Sequence, residues 1–129
     1  MTTIKRVDLP ELVPPTGYSH VVVNRGTAYI SGVAATDNDG TIVGVNEPVV
    51  QVEQTLRNLW TALSAVGAGP EHLLQWTVYL TGPEHIAAWQ QVRGDFVGDY
   101  RPAGTLLIVS GLAHPDLIIE VDAVAAVDD

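Results

Sequence analysis

Apolar and polar positions along this chain repeat with a period of two in some stretches and of three to four in others. The alternation of the two periods predicts the element order β-β-β-α-β-α-β-β. Residues 3–8 read as a short first strand. Pro10, Pro14 and Pro15 interrupt regular structure, and Thr16-Gly17-Tyr18-Ser19-His20 reads as a loop. His20–Asn24 and Thr27–Ser31 are two strands joined through Arg25-Gly26, a hairpin, and Asp37-Asn38-Asp39-Gly40 is a turn cluster. The period then lengthens. Val52, Leu56, Leu59, Leu63 and Val66 form one apolar stripe, with Gln54, Arg57, Asn58 and Thr61 off it. Asn46 is placed as the N-cap of this helix, Pro48 in its first turn, and Gly67-Ala68-Gly69-Pro70 as its end.

Period two returns over Leu73–Leu80, with Leu74, Trp76, Val78 and Leu80 on one face and Leu73 and Tyr79 on the other. Thr81-Gly82-Pro83-Glu84 has the spacing of a capping box ahead of a second helix. That helix turns Ile86, Trp89, Val92 and Phe96 inward and stops near Gly98. Leu106–Val109 is apolar on both faces, the pattern of a strand covered on both sides. The last strand alternates: Leu117, Ile119, Val121 and Ala123 share one face, and Ile118, Glu120 and Asp122 the other. Glu120 therefore stands within an apolar strand, where a carboxylate is costly unless it is solvated, paired or used.

Strand–helix–strand crossovers place both helices on one sheet face. The opposite face, with Leu73, Tyr79 and Ile118, then needs a cover, and an uncovered apolar patch of that size marks an interface. The fold class is α+β, in a single domain over residues 1–129.

Composition narrows the function classes. The chain has 129 residues, 47% hydrophobic and only 16% charged, which is too apolar for disorder. No apolar run approaches the roughly 18 residues that a membrane span needs. So few charges on a small chain favour assembly, which buries part of the surface. No signal-like segment is visible at the N-terminus and there is no cysteine, so the cytosol is the expected location. The net charge is −9, from 6 basic and 15 acidic residues, and the basic ones are scattered. This disfavours nucleic acid and anionic membranes as partners. The histidines His20, His72, His85 and His114 lack metal-ligand spacing, and there is no phosphate-binding glycine motif. No metal or other cofactor is expected.

The residues Pro102-Ala103, Thr105, Leu112 and Ile119-Glu120-Val121-Asp122-Ala123 resemble the C-terminal signature of the Rid (YjgF-type) family, the reactive-intermediate deaminases. Gly17-Tyr18-Ser19, Ile30-Ser31-Gly32, Asn58-Leu59 and Val78-Tyr79-Leu80 fall, in order, where that family has similar residues. The resemblance implies a chorismate-mutase-like, six-stranded sheet with two helices on one face, and a homotrimer around a threefold axis. It implies a small-molecule cleft between subunits, lined by Tyr18, Ser31, Gly32, Thr105, Leu106 and Glu120. Glu120 would position or activate the water that attacks a C=N carbon.

One position departs from the pattern. The family's arginine, which would clamp a substrate carboxylate bidentately, falls on Gly104. Arg101 lies three residues earlier across Pro102, so in an extended strand it points to the opposite face and is a poor replacement; an arginine from a neighbouring subunit is the other source. The expected function is that of a divergent Rid-type enzyme, hydrolysing a small imine or enamine that lacks the usual carboxylate anchor. The alternative is a non-catalytic trimer that binds a metabolite or a protein. His20, where the family usually has glutamine, and His114, in the last strand–strand loop, are further candidates for acid–base chemistry, with solvated turn histidines as the plainer reading. Some family members have been described as ribonucleases, and the acidic balance argues against that role for this chain.

Overall fold

Arg25 and Gly26 both take positive φ, 51° and 77°, as the tight hairpin between the second and third strands requires. In this computed structural model, which describes residues 3–128, the strands are β1 (Lys5–Val7), β2 (Val21–Asn24), β3 (Thr27–Val33), β4 (Leu73–Leu80), β5 (Ala103–Ile108) and β6 (Ile119–Ala126). The helices are α1 (Pro48–Ala65) and α2 (Ile86–Val97), and single 3₁₀ turns at Pro70–His72 and Pro83–His85 lead into β4 and α2. The element order is the one read from the sequence.

The sheet runs β1-β2-β3-β6-β4-β5. All pairings are antiparallel except β4 with β5. The chain's last strand thus lies at the centre of the sheet, between β3 and β4. Its Ile119, Val121, Ala123 and Ala125 are buried against the helix layer, and Glu120 and Asp122 point to the other face. Helix α1 packs on β3 and β6 and beside α2. Leu56, Leu59 and Leu63 on α1, with Trp76, Val78 and Leu80 on β4, close the core.

Four local expectations change. In β4, Leu73 pairs with Ala125 while Gln75 pairs with Val124, so one extra residue sits in β4. This bulge turns Leu73 into the core and leaves Leu74 50% exposed, the reverse of strict alternation. Asn46 is not the cap of α1. It occupies a turn at φ 62°, and Glu47 holds the N-cap position without a side-chain bond. Thr81 and Glu84 form no capping box, because the 3₁₀ turn precedes α2 and the Thr81 N–H donates to the Ile118 carbonyl. Finally, β5 is not covered on two sides within one chain; every residue of it is exposed. The end of α1 does follow expectation. Gly67, at φ 75°, lets its own N–H and that of Ala68 return to the Ser64 and Leu63 carbonyls.

Asn58, placed off the apolar stripe, is buried, as are Gln51 and Thr55. These polar groups are consumed by backbone. The Gln51 Nε2 group donates to the carbonyls of Gly44 at 3.3 Å and Asp116 at 3.1 Å, and its Oε1 accepts the Ile118 N–H at 2.6 Å. Asn58 Nδ2 donates to the carbonyls of Ala34 and Thr36 at 2.7 and 2.8 Å. Helix α1 thereby fixes the loop after β3 and the entry into β6. Gln51→Leu keeps the volume and strands three backbone partners, so it should destabilise by about 2–4 kcal/mol. The check is the urea midpoint, which should fall with an unchanged slope, while Thr61→Ala on the exposed side of α1 shifts it by less than about 0.5 kcal/mol.

Candidate small-molecule site

Ser31 fixes the loop that carries Tyr18. Its Oγ donates to the Ser19 carbonyl at 2.6 Å and its N–H donates to the His20 carbonyl at 3.0 Å. Gly17, at φ 83°, turns the chain just before Tyr18, which stays 46% exposed. His20 is buried beneath this loop. Its Nδ1 accepts the Leu9 N–H at 2.9 Å and its Nε2 donates to the Val13 carbonyl at 2.8 Å, an arrangement that assigns the proton to Nε2. Both ring nitrogens are therefore occupied by backbone, and His20 holds the 8–13 segment in place. His114 sits in the exposed link before β6, where its Nδ1 accepts the Asp116 N–H.

Tyr18, Ser31, Gly32 and Glu120 line one open cleft of about 660 Å³ on the helix-free face of the sheet, together with Tyr29 and Asp122. Gly32 lies where the β3–β6 register shifts. A β-carbon there would stand 2.5 Å from Glu120 Oε2, so the carboxylate rests against the bare α-carbon of glycine. Burial, and secondarily the charge of Asp122, raise the pKa of Glu120 above the usual carboxylate range. Asp122 in turn accepts a hydrogen bond from the Tyr79 hydroxyl at 2.7 Å.

Thr105 and Leu106 are not in this cleft. They line a second hollow of about 220 Å³ with Gly104, Trp76, Arg93 and Arg101. Strand β4 separates β5 from β6, so within one chain the six residues implied by the resemblance divide between two hollows, four and two. Gly104 pairs in register with Trp76. A β-carbon on Gly104 would lie 2.9 Å from the indole Cδ1 and 3.0 Å from Nε1, so the indole fills the space that a side chain at position 104 would enter. Arg101 precedes β5 and does not obey strand alternation; with Arg93 of α2 it borders the hollow beside Gly104.

Sequence reasoning passed over Asp122 and Arg93. Asp122 had a signal, since it shares a strand face with Glu120 two residues away. Arg93 had none, being one polar residue among several on α2. Among the described residues, no cluster of histidine and carboxylate groups is arranged to hold a metal ion.

Comparison with known proteins agrees with this architecture. The family model described as Endoribonuclease L-PSP matches residues 10–127. A RutC family protein of Synechocystis is 29% identical over 126 residues, covering 95% of this chain and 96% of the relative. The 3-aminoacrylate deaminase RutC of Acinetobacter baylyi is 28% identical over 125 residues, covering 95% and 98%. Among solved structures, the Rid-family protein YyfA of Yersinia pestis superposes with a TM-score of 0.90 at 23% identity, covering 97% of this chain and all of that one. A match across nearly the whole chain, on the same six-stranded α+β fold, means that the protein belongs to the Rid (YjgF-type) family, whose model bears the description Endoribonuclease L-PSP.

Proposed function

We propose that this protein hydrolyses the C=N bond of a small imine, or of an enamine through its imine tautomer, in a crevice completed by a second copy of the chain. Family membership supports a deaminase-type or small-molecule-binding role in general. The observation that carries the finer reading is the placement of Glu120: half-buried at the floor of an open cleft, pressed against Gly32, with a raised pKa. A carboxylate poised nearer neutrality is a better general base than a solvated one. Glu120 takes a proton from water as the oxygen adds to the C=N carbon and passes it to the nitrogen, which gives a carbinolamine. Glu120 then takes the carbinolamine's hydroxyl proton and delivers it to the nitrogen as the C–N bond breaks, releasing a carbonyl compound and an amine or ammonia. The Tyr18 hydroxyl and the backbone at Ser31-Gly32 orient the substrate.

Three further features support this reading. Thr105 and Leu106 stand in a separate hollow beside an exposed apolar edge strand, so a neighbouring copy is the natural source of the crevice's second wall, as a homotrimer would supply. Glycine at position 104 supplies no charge to clamp a substrate carboxylate there. The Acinetobacter relative is named for deaminating an enamine, which favours the same reaction type. The net charge of −9 opposes a nucleic-acid substrate. No described helix is long and apolar enough to cross a membrane, and we place the protein in the cytosol. The second reading, a non-catalytic binding trimer, is favoured by the Trp76 indole filling the clamp's place.

Imines generated in situ and competed against a semicarbazide trap separate the two readings. The enzyme reading expects faster loss of at least one small imine, and a fall of about 10²–10⁴-fold in Glu120→Gln. Silence across neutral and acidic imines alike sinks it. The pH profile of kcat/KM should rise with an apparent pKa above the ordinary glutamate value, because the ionised form is the base.

Gly32→Ala forces the flexible end of Glu120 aside. Turnover should fall about tenfold or more, with little change in melting temperature.

Stability and pH are linked through the same carboxyl. A pKa raised on folding means that the contribution of Glu120 is fully present below the unfolded-state pKa and is lost as pH rises through the folded one. Glu120→Gln escapes that loss. It should melt higher than the natural protein at pH 7 and equally with it near pH 4; a variant that melts lower at pH 7 would contradict the assignment.

A further inference from the structure

Between β1 and β2 the chain forms no strand or helix, and segment 8–13 has a single internal backbone bond, from the Leu12 N–H to the Leu9 carbonyl at 3.2 Å. The His20 ring ties this segment down. It is only 5% exposed, takes the Leu9 N–H on Nδ1 at 2.9 Å and gives its Nε2–H to the Val13 carbonyl at 2.8 Å. These two partners admit one protonation state. A backbone N–H can only donate and a carbonyl can only accept, so the ring must be neutral with its proton on Nε2. An imidazolium carries a proton on both nitrogens, which sets an Nδ1–H against the Leu9 N–H. From β3 and α1 the ring meets no charged side chain. Gly32, Val33 and Asn58 share its hollow, and the Asn58 amide is committed to the carbonyls of Ala34 and Thr36. The titratable groups beside it on the loop are the Tyr18 phenol, whose ring stands edge-on at 6.1 Å, and Asp8, whose Oδ1 accepts the His20 N–H at 3.3 Å. The Asp8 carboxylate favours a positive ring, yet it leaves the Leu9 N–H facing a donor.

We infer that His20 is an acid-sensitive latch: a proton added to its ring releases segment 8–13 and loosens the seat of Tyr18 at the Glu120 cleft. Histidine is the side chain whose charge changes near neutral pH, and here both of its nitrogens are spent on main-chain groups that lie far apart in sequence. The latch is whole while the ring is neutral and is lost as pH falls. Its release is local. Leu12 alone among residues 8–13 is buried in the core, whereas Ser31 on β3 keeps its own bonds to the Ser19 and His20 carbonyls. The sheet therefore stays closed while the segment opens. Tyr18 loses the edge contact of the His20 ring, and Tyr18 is a wall of the cleft. The consequence for ligands rests on the proposed use of that cleft; the latch itself does not.

The test is amide hydrogen exchange with NMR of the histidine rings, on the full chain, across the pH range in which histidines titrate. Turnover is not the readout, because Glu120 is expected to lose activity in the same direction. The protection of the Leu9 amide, corrected for intrinsic exchange, should fall by up to about tenfold per pH unit, the limit for an opening that takes up one proton. The fall should coincide with protonation of the His20 ring and with a shift of the Tyr18 ring signals, while the amides of β6 keep their protection. His20→Gln offers one acceptor and one donor without a titrating group, so it should hold Leu9 equally at every pH. Asp8→Asn should leave the acid response in place. The inference is overturned if Leu9 stays protected after the His20 ring is charged, or if β6 loses protection in the same step, which is unfolding of the whole domain. It is overturned equally if His20→Gln shows the same acid loss, or if Asp8→Asn abolishes it, which makes the carboxylate the sensor. Should His20→Gln not fold, the coincidence of ring protonation with Leu9 exchange in the natural protein decides alone. A failure of the C=N hydrolase reading leaves each of these outcomes interpretable, since none requires a substrate.

Discussion

The structure depends on the chain's last strand being its central one. Strand β6 hydrogen-bonds to β3 on one side and β4 on the other, and its Ile119, Val121, Ala123 and Ala125 form the surface on which the helix layer rests. The sheet cannot close until the C-terminal residues have arrived, which makes its defining contacts long-range in sequence. Gln51 is the corresponding constraint from the helix side. One amide side chain on α1 fixes the carbonyl of Asp116 and the N–H of Ile118 at the entrance to β6, so the register of the central strand and the seat of α1 are settled together. Glu120 inherits its position from that register. A slip of one residue would exchange the carboxylates for the apolar set and put Glu120 in the core.

What was legible in the sequence follows from periodicity, and what was not follows from exceptions to it. The alternation of β6 and the apolar stripe of α1 are direct consequences of a two-sided strand and a one-sided helix, and both stand as read. Leu74 was placed inward because alternation was carried straight through β4; the inserted residue between Leu73 and Gln75 resets the phase, and no local residue type announces it. Gln51 and Asn58 are buried because distant loops bring carbonyls to them, a fact that lies in residues 34–44 and 116–118 rather than in the helix. The same holds for the site. Tyr18, Ser31, Gly32 and Glu120 come together in one cleft, Thr105 and Leu106 lie elsewhere, and His20 has spent both nitrogens on the backbone. Arg101 was assigned to the wrong side because strand alternation was applied to a residue that precedes the strand.

The separation into two hollows bears on the size of the functional unit. A parallel pairing leaves β5 at the sheet edge, with Leu106, Leu107 and Ile108 each more than a third exposed. Natural edge strands are ordinarily protected by charge, proline or a bulge, and this one carries six residues without a charge. An unprotected apolar edge is tolerable if another surface habitually covers it. The helix-free face, with Tyr29 exposed beside the Glu120 cleft, presents apolar surface of the same kind. Each uncovered surface borders one of the two hollows, so on the proposed reading the contact that shields them would also bring the two hollows together.

Gly104 then changes meaning. On the sequence resemblance alone, it reads as a missing arginine. Considered with its cross-strand neighbour, it is one half of a pair, since the indole of Trp76 occupies the space a side chain would need and is itself wedged against Trp89 and Phe96. A glycine on an edge strand weakens the strand by leaving nothing to pack, and an aromatic ring laid over it from the adjacent strand restores the lost contact. The two residues therefore constrain each other. Introducing arginine at position 104 does not restore a clamp while Trp76 stands where it does, because the new β-carbon would collide with the indole before the guanidinium found any ligand. The positive charge in this part of the molecule resides instead on Arg93, in α2, and on Arg101, in the link that leads into β5.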